Sequence, residues 1–312
     1  MDLLKKELEK FGKVKTNALL SRCTTFHIGG PAKFLIEVTK TDELIGLLDF
    51  LSATGQVFFV LGGGSNLLLP DEGFDGVVIK ISTGQLRIDG EIIIAEAGVL
   101  LGSVVNTATQ NSLSGLEWGA GIPGTVGGAT RGNAGAMGQD MSKCVERVEI
   151  WQNGEIKELS NYECGFDYRG SSFKENGAVI LRVFIKLKKD DQKKIIKQVK
   201  EYLDQRIGKF PSYPSAGCFF KNVKLNKWSN YPKDLPAIFI ERGTVPVGWL
   251  VDQAGAKGLE FADAAVSDKH CNFVVNKKNA SQADVLALVE EVKTRVYNKF
   301  KIELESEVEI VK

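Results

Sequence analysis

Apolar and polar positions alternate along this chain with two different periods, and the periods mark its elements. MDLLKKELEKFG, residues 1–12, is a charged amphipathic helix start. Thr41 to Thr54 reads as a helix, with Thr41 as the expected cap and Asp42 and Glu43 in its first turn. QVFFVL, Gln56 to Leu61, predicts a buried strand, and GVVIKI and EIIIAEAG predict two more. Leu101 to Ser112 is helical in pattern. VEIWQNGEIKEL sets Asn153-Gly154 between two alternating runs, the pattern of a tight hairpin. AVILRVFIKLKK predicts a long strand, and Asp190 to Ile207 a charged amphipathic helix. The chain then loosens through Pro211 and Pro214, which marks a boundary. Ser281 to Phe300 predicts a helix capped by Ser281, with Val285, Leu288 and Val292 on one face. KIELESEVEIVK predicts a strand with Ile302, Leu304, Val308 and Ile310 on one side and Ser306 between them. Glu303, Glu305, Glu307 and Glu309 then share the other side. A solvated face explains such a row, and alternation cannot choose among the four. Hairpins mixed with helices point to an α+β fold rather than strict βαβ alternation.

Composition narrows the class. The 312 residues suffice for about two domains with substantial cores. A net charge of +1 gives no reason to expect nucleic acid or a lipid surface as partner. No apolar run approaches the length of a membrane span, and the charged amphipathic start of the chain predicts no secretion signal. The five cysteines, at 23, 144, 164, 218 and 271, form no CxxC pair, so a cytoplasmic protein with free thiols is expected. With only two histidines, no metal site is expected.

Glycine is concentrated in two places. LGGGSNLLL, Leu61 to Leu69, follows a predicted strand directly. Consecutive glycines let backbone N–H groups face one anion at close range, and Ser65 and Asn66 add side-chain donors. GAGIPGTVGGATRGNAGAMG, Gly119 to Gly138, is the second loop. Gly119, Gly121 and Gly124 match G-x-G-x-x-G, but a helix end precedes them where a dinucleotide-binding motif needs a strand. Its long run of small residues can lie flat against an extended ligand. Two such loops suit a ligand with a pyrophosphate and a large ring system. Neither is a P-loop, which argues against nucleoside triphosphate hydrolysis.

SRCTTFHIGGPA, LGGGSNLLL, GAGIPGTVGGATRGNAGA, FDYRGSSF, SAGCFFKN, GWLVDQAGAKG, VSDKHCNFVVN and the terminal LESEVEI occur in one order over nearly the whole chain. In that order they resemble the UDP-N-acetylenolpyruvoylglucosamine reductase family, also called UDP-N-acetylmuramate dehydrogenases. The resemblance implies a two-part FAD-binding fold of the vanillyl-alcohol oxidase-like (PCMH) type, followed by a smaller α+β C-terminal substrate domain. The expected division is 20–190 for the FAD-binding domain, with subdomains about 1–80 and 81–190, and 200–312 for the substrate domain. It implies non-covalent FAD, NADPH as hydride donor, and a small UDP-sugar as substrate, with no obligate protein partner evident. The enolpyruvyl ether of UDP-N-acetylglucosamine would be reduced to UDP-N-acetylmuramate for peptidoglycan.

Carried onto this chain, the motifs make Arg169, Cys218 and Glu307 catalytic. They assign FAD contacts to Gly62, Gly63, Gly64, Ser65, Asn66 and Leu67, to Gly121, Pro123, Gly124, Thr125, Gly128, Asn133, Ala134 and Gly135, and to Ile180. Lys209, Asn222 and Gln253 become candidates for substrate contacts. The chain departs from the family pattern at three points. Cys218 stands where serine is the usual proton donor, Val223 stands for the usual proline, and the segment 223–247 is longer than expected. No tyrosine-bearing loop lies between Arg169 and Cys218, which implies the loop-less type.

Each assignment suits the chemistry. A guanidinium grips a carboxylate bidentately and stays charged, so Arg169 would hold the substrate's carboxylate as charge builds on it. A glutamic acid at 307 could hydrogen-bond the developing enol acid. A neutral thiol, with an ordinary pKa of about 8.5, is a more acidic donor than an alcohol. Cys218 could thus deliver a proton to C2, although most free cysteines are small buried hydrophobes. Two rivals stand beside this reading: a flavin oxidase on the same fold, and a non-catalytic flavin-binding homologue.

Overall fold

The structure is a computed structural model that describes residues 2–228, 231–232 and 235–312. The chain forms two compact units, neither of them contiguous in sequence. The first takes in Met1–Ala18, Ala32–Gly63 and Phe74–Ile207; the second takes in Leu19–Pro31, Gly64–Gly73 and Gly208–Lys312.

The first unit is built on two sheets. A four-stranded sheet runs in the order Lys13–Leu19, Pro31–Val38, Phe74–Ile81, Phe58–Leu61. Phe74–Ile81 is parallel to both of its neighbours Pro31–Val38 and Phe58–Leu61. The helix Thr41–Ala53 connects two of these parallel strands and buries Leu44, Leu47, Leu48 and Leu51 completely, at positions i, i+3, i+4 and i+7. Each such leucine stabilises the core by about 1.5–3 kcal/mol. Thr41 is the first residue of this helix and not its cap: Lys40, in extended backbone conformation, holds the cap position, and the Thr41 hydroxyl is committed elsewhere. It donates to Glu96 Oε1 at 2.6 Å, and Gln85 N–H donates to Glu96 Oε2 at 2.8 Å, so a buried carboxylate is satisfied from two elements.

A five-stranded antiparallel sheet runs Glu155–Ser160, Val145–Gln152, Val179–Lys186, Ile92–Glu96, Leu86–Asp89. Val179–Lys186 is central and almost continuously buried, as its apolar run requires. The hairpin at Asn153-Gly154 forms as read, both residues having positive φ (52° and 79°) with Gln152 facing Glu155. The expected helices over 101–112 and 190–207 are Leu101–Gln110 and Gln192–Arg206, the latter capped by Asp191. The strands Lys13–Leu19 and Pro31–Val38 escaped the sequence reading. Lys13–Leu19 is nearly all exposed and so lacks an apolar signature.

The second unit has a four-stranded antiparallel sheet in the order Ser215–Cys218, Phe273–Asn276, Ala264–Val266, Glu260–Phe261. The helix Gln282–Phe300 buries Val285, Leu288, Val289, Val292 and Val296 in the same core as Val266 and Val274. Ser281 and Asp284 form a capping box at its start. The C-terminal strand is shorter than its alternation predicts. Ile302, Leu304 and Val308 are buried, yet only Glu309–Ile310 joins a ladder, parallel to Leu67–Leu68. In the long segment 223–247, Trp228, Leu235, Val245 and Val247 join the second unit's core. Val223–Lys224 pairs antiparallel with Thr244–Val245, and Trp228 packs edge-on against Phe300. Four of its positions, Ser229, Asn230, Lys233 and Asp234, lie outside the described residues.

Candidate active site

In the first unit the two glycine loops meet backbone to backbone. A Cβ on Gly62 would lie 2.7 Å from Thr125 Oγ1, and one on Gly63 would lie 2.7 Å from the Cα of Gly124. Only glycine permits that approach. Gly63, Gly121, Pro123 and Gly128 are exposed, while Thr125 is buried and its Oγ1 accepts from Gly128 N–H at 3.3 Å, capping the short helix Val126–Arg131. This helix is tied to Ala97, the residue after the strand Ile92–Glu96, by Gly127 N–H, which donates to Ala97 O at 2.9 Å. Thr130 Oγ1, in the same helix, is buried without a hydrogen-bond partner among the described residues. Ile180 is buried in the central strand, opposite Ile150.

The second loop also carries Arg169. Asn133 is buried, its Nδ2 donating to Asp167 O at 2.9 Å and its Oδ1 accepting from Ser142 N–H at 3.0 Å. Asp167 and Gly170 exchange backbone bonds around a tight turn, in which Arg169 has a φ of 57°. Arg169 Nη2 donates to Gly135 O at 2.8 Å, and Ser171 Oγ donates to Arg131 O at 2.7 Å. Ala134 N–H donates to Ala129 O at 2.8 Å. The turn bearing the arginine is therefore fastened at three points to the glycine-rich segment, and its left-handed residue is held by those bonds.

In the second unit, Cys218 ends the strand Ser215–Cys218. Ser215 faces Val275 and Cys218 faces Phe273, so three residue steps on one strand match two on the other. This is a β-bulge, and Gly217 supplies the positive φ of 83° within it. Strict alternation would turn Cys218 into the large core with Ala216. The bulge turns it instead onto the opposite face, beside Phe210, Phe273 and Val275. Glu307 lies close along the backbone. Its N–H donates at 2.8 Å to the carbonyl of Phe219, the residue after Cys218, and Ser306 bridges Phe220. Asn66 Nδ2 donates to Glu307 O at 3.1 Å, and Glu309 N–H donates to Asn66 O at 3.0 Å. Burial separates the glutamates that alternation left equal: Glu303 and Glu305 are exposed, Glu307 and Glu309 half-buried. Glu305 is paired with Lys221. Gly64, Ser65 and Leu67 belong to this unit, and Gly64 O accepts from Thr25 N–H at 3.1 Å.

Of the expected substrate contacts, Lys209, Asn222 and Gln253 are all exposed. Asn222 Oδ1 accepts from Val247 N–H at 3.1 Å, at the first turn of the helix Val247–Gln253, which Gln253 ends. Among the other thiols, burial pushes Cys144 up to about 12 and Cys164 up to about 11. Cys271 is also raised, again mainly by burial. Among the described residues no cluster of histidine, cysteine and carboxylate groups could hold a metal ion, and no helix is long and apolar enough to cross a membrane.

Residues 205–311 match a family model described as the UDP-N-acetylenolpyruvoylglucosamine reductase C-terminal domain, and residues 32–160 match one described as a FAD binding domain. The reductase of that name from Carboxydothermus hydrogenoformans is 40% identical over 99% of this chain and 98% of that protein. The one from Caldanaerobacter subterraneus is 40% identical over 98% of this chain and 96% of that protein. The chain belongs to the UDP-N-acetylenolpyruvoylglucosamine reductase family. A solved reductase from Thermus caldophilus is 35% identical, with a TM-score of 0.79 over 96% of this chain and 99% of that one.

Membership in the reductase family makes this an oxidoreductase with FAD as its cofactor, and the FAD binding domain match spans both glycine loops. Two residues outside the expected site set, Gln282 and His270, the latter expected to be structural, also hold these elements. Gln282 Nε2 donates to Leu68 O at 3.3 Å and Val311 O at 2.8 Å, and so ties together the short parallel pair beside Glu307. His270 stacks on Phe210, with ring centroids 6.2 Å apart, and meets Phe273 edge-on at 4.9 Å. Burial holds its pKa below the ordinary value of 6.5, so it is neutral. The motif VSDKHCNFVVN carried the only sequence signal for it.

Proposed function

We propose that this chain reduces the enolpyruvyl ether of UDP-N-acetylglucosamine to UDP-N-acetylmuramate, a step in peptidoglycan precursor synthesis. Bound FAD, reduced by NADPH, supplies the hydride that adds at C3 of the alkene. The residues fit such a cofactor: Gly62 and Gly63 pack on Gly124 and Thr125 where any Cβ would intrude, and exposed backbone at Gly63, Gly121 and Gly128 offers close approach to a pyrophosphate. The same assignment covers Gly64, Ser65, Asn66, Leu67, Pro123, Asn133, Ala134, Gly135 and Ile180. Lys209, Asn222 and Gln253 contact the UDP-sugar. The domain assignment follows, with FAD on 20–190 and substrate on 200–312. The reaction belongs in the cytoplasm, where five free cysteines stay reduced.

The chain's own task is to hold the substrate carboxylate, stabilise the charge that builds on it, and deliver a proton to C2. Arg169 binds the carboxylate, its turn braced against Gly135 and Arg131. Glu307 hydrogen-bonds the developing enol acid. Cys218 holds a proton on Sγ and donates it to C2, and a solvent proton restores the thiol. One observation carries this reading. The Gly217 bulge turns Cys218 away from the large core, and the carbonyl of the next residue, Phe219, accepts from Glu307 N–H.

The test is anaerobic. The flavin of the purified holoenzyme is reduced with NADPH, and UDP-N-acetylglucosamine enolpyruvate is then added. Reoxidation with one equivalent of UDP-N-acetylmuramate is expected. Reoxidation by oxygen alone, with none by the enolpyruvyl sugar, would show an oxidase instead.

A further inference from the structure

The β-ladder between Ser215–Cys218 and Phe273–Asn276 stops at the pair Cys218–Phe273. The chain beyond Cys218 nevertheless stays buried, with Phe219 and Phe220 at 1% and 2% exposure, so their backbone groups need partners. Asn272 supplies them. Its carbonyl accepts from Phe219 N–H at 2.6 Å, its Oδ1 accepts from Phe220 N–H at 3.0 Å, and its Nδ2 donates to Phe220 O at 2.8 Å. The carboxamide continues the ladder in the role of a peptide group. Asn272 is itself only 3% exposed, and its N–H donates to His270 Nδ1 at 3.3 Å. The carbonyl of Phe219 is thereby left to accept from Glu307 N–H.

We infer that Asn272 is a positioning residue for the proton-transfer step, setting the register between the chain that bears Cys218 and the chain that bears Glu307. The inference rests on the proposed roles of those two residues. It differs from ordinary packing because one side chain uses both its acceptor and its donor on the N–H and the carbonyl of a single residue, Phe220, two positions past the thiol. No aliphatic side chain of similar size can do this. Aspartate keeps the acceptor for Phe220 N–H but, when ionised, sets an oxygen against Phe220 O in place of a donor.

The test is stopped-flow on the Asn272→Asp holoenzyme with both half-reactions followed separately. Flavin reduction by NADPH should stay within about twofold of wild type. Reoxidation by saturating enolpyruvyl sugar should slow at least tenfold, with a larger solvent deuterium isotope effect, because the proton must travel from a misaligned donor. Loss of folded protein alone would not change that isotope effect. Unchanged reoxidation, or a slowing of both half-reactions together with an unaltered isotope effect, overturns the inference. If the variant does not accumulate, amide hydrogen exchange on the wild-type holoenzyme decides. Strong protection at Phe219 and Phe220 is expected, and exchange at solvent rates overturns it. Cys218→Ala in the same assay separates the two levels: wild-type reoxidation there removes the proton-donor reading, whatever Asn272→Asp does.

Discussion

A thiol in place of a hydroxyl changes what a proton donor needs from its surroundings. Serine must be made more acidic, whereas cysteine must only be kept protonated and aimed. Cys218→Ala should leave flavin reduction by NADPH intact and nearly abolish product. Cys218→Ser should keep substantial turnover, and a normal rate of reoxidation in the Ala variant would return Cys218 to packing. Arg169→Ala and Glu307→Ala should each lower turnover by orders of magnitude, a loss of roughly 3–4 kcal/mol of transition-state stabilisation, again with the NADPH half-reaction preserved. Near-normal turnover in either variant would remove that residue from the catalytic set. Cys144 and Cys164, raised to about 12 and about 11 by burial, stay protonated at pH 8.5. Iodoacetamide mapping by mass spectrometry should find both unmodified in the native protein. His270 gives a pH signature. Its folded pKa lies below 6.5, so the unfolded chain takes up its proton first as pH falls. The associated stability is complete above about pH 6.5 and declines below it. The melting temperature should therefore fall between pH 7.5 and 5, and fall less in His270→Gln. Equal slopes would count against a neutral buried imidazole.

Elements whose signal is local were readable in advance. The helices at 41–53 and 282–300, and the hairpin at Asn153-Gly154, follow from side-chain spacing and from turn residues within a few positions. The bulge at Gly217 was not, because a bulge is defined by the partner strand's register and Phe273 lies 55 residues away in the chain, from 218 to 273. The sequence marked both glycine loops, but not as surfaces that pack on each other. That packing makes a prediction. Gly63→Val must force Gly124 away, so the holoenzyme should lose flavin. The absorbance ratio of bound flavin to protein measures it, and full occupancy would count against this cradle. Gly217→Ala meets no atom within 4 Å, so its effect comes from the positive φ alone, about 1 kcal/mol of stability.

At the scale of the whole molecule, the chain passes from one compact unit to the other five times, at 18/19, 31/32, 63/64, 73/74 and 207/208. Composition and turn signals along a line describe contiguous pieces, and pairing between distant segments leaves no local trace. The second unit's core includes Phe26, Ile28 and Leu68 beside residues from beyond 215. A fragment of residues 200–312 lacks those three side chains, each worth about 1.5–3 kcal/mol on burial, against a typical domain stability of 5–15 kcal/mol. It should therefore show little near-ultraviolet circular dichroism and poor amide dispersion. A cooperative melt of the isolated fragment would overturn this.

The pairing of Glu309–Ile310 with Leu67–Leu68 also bears on how the protein is made. A ribosome releases Leu67 and Leu68 long before their partners exist, and at about 5–20 residues per second the wait lasts some tens of seconds at the slow end. Throughout that interval Asn66 has no Glu307 to hold. The first unit, apart from its later strands, can begin to gather around Leu44 and Val78 during synthesis. The segment that bears Glu307 joins Leu67–Leu68 only as a late event.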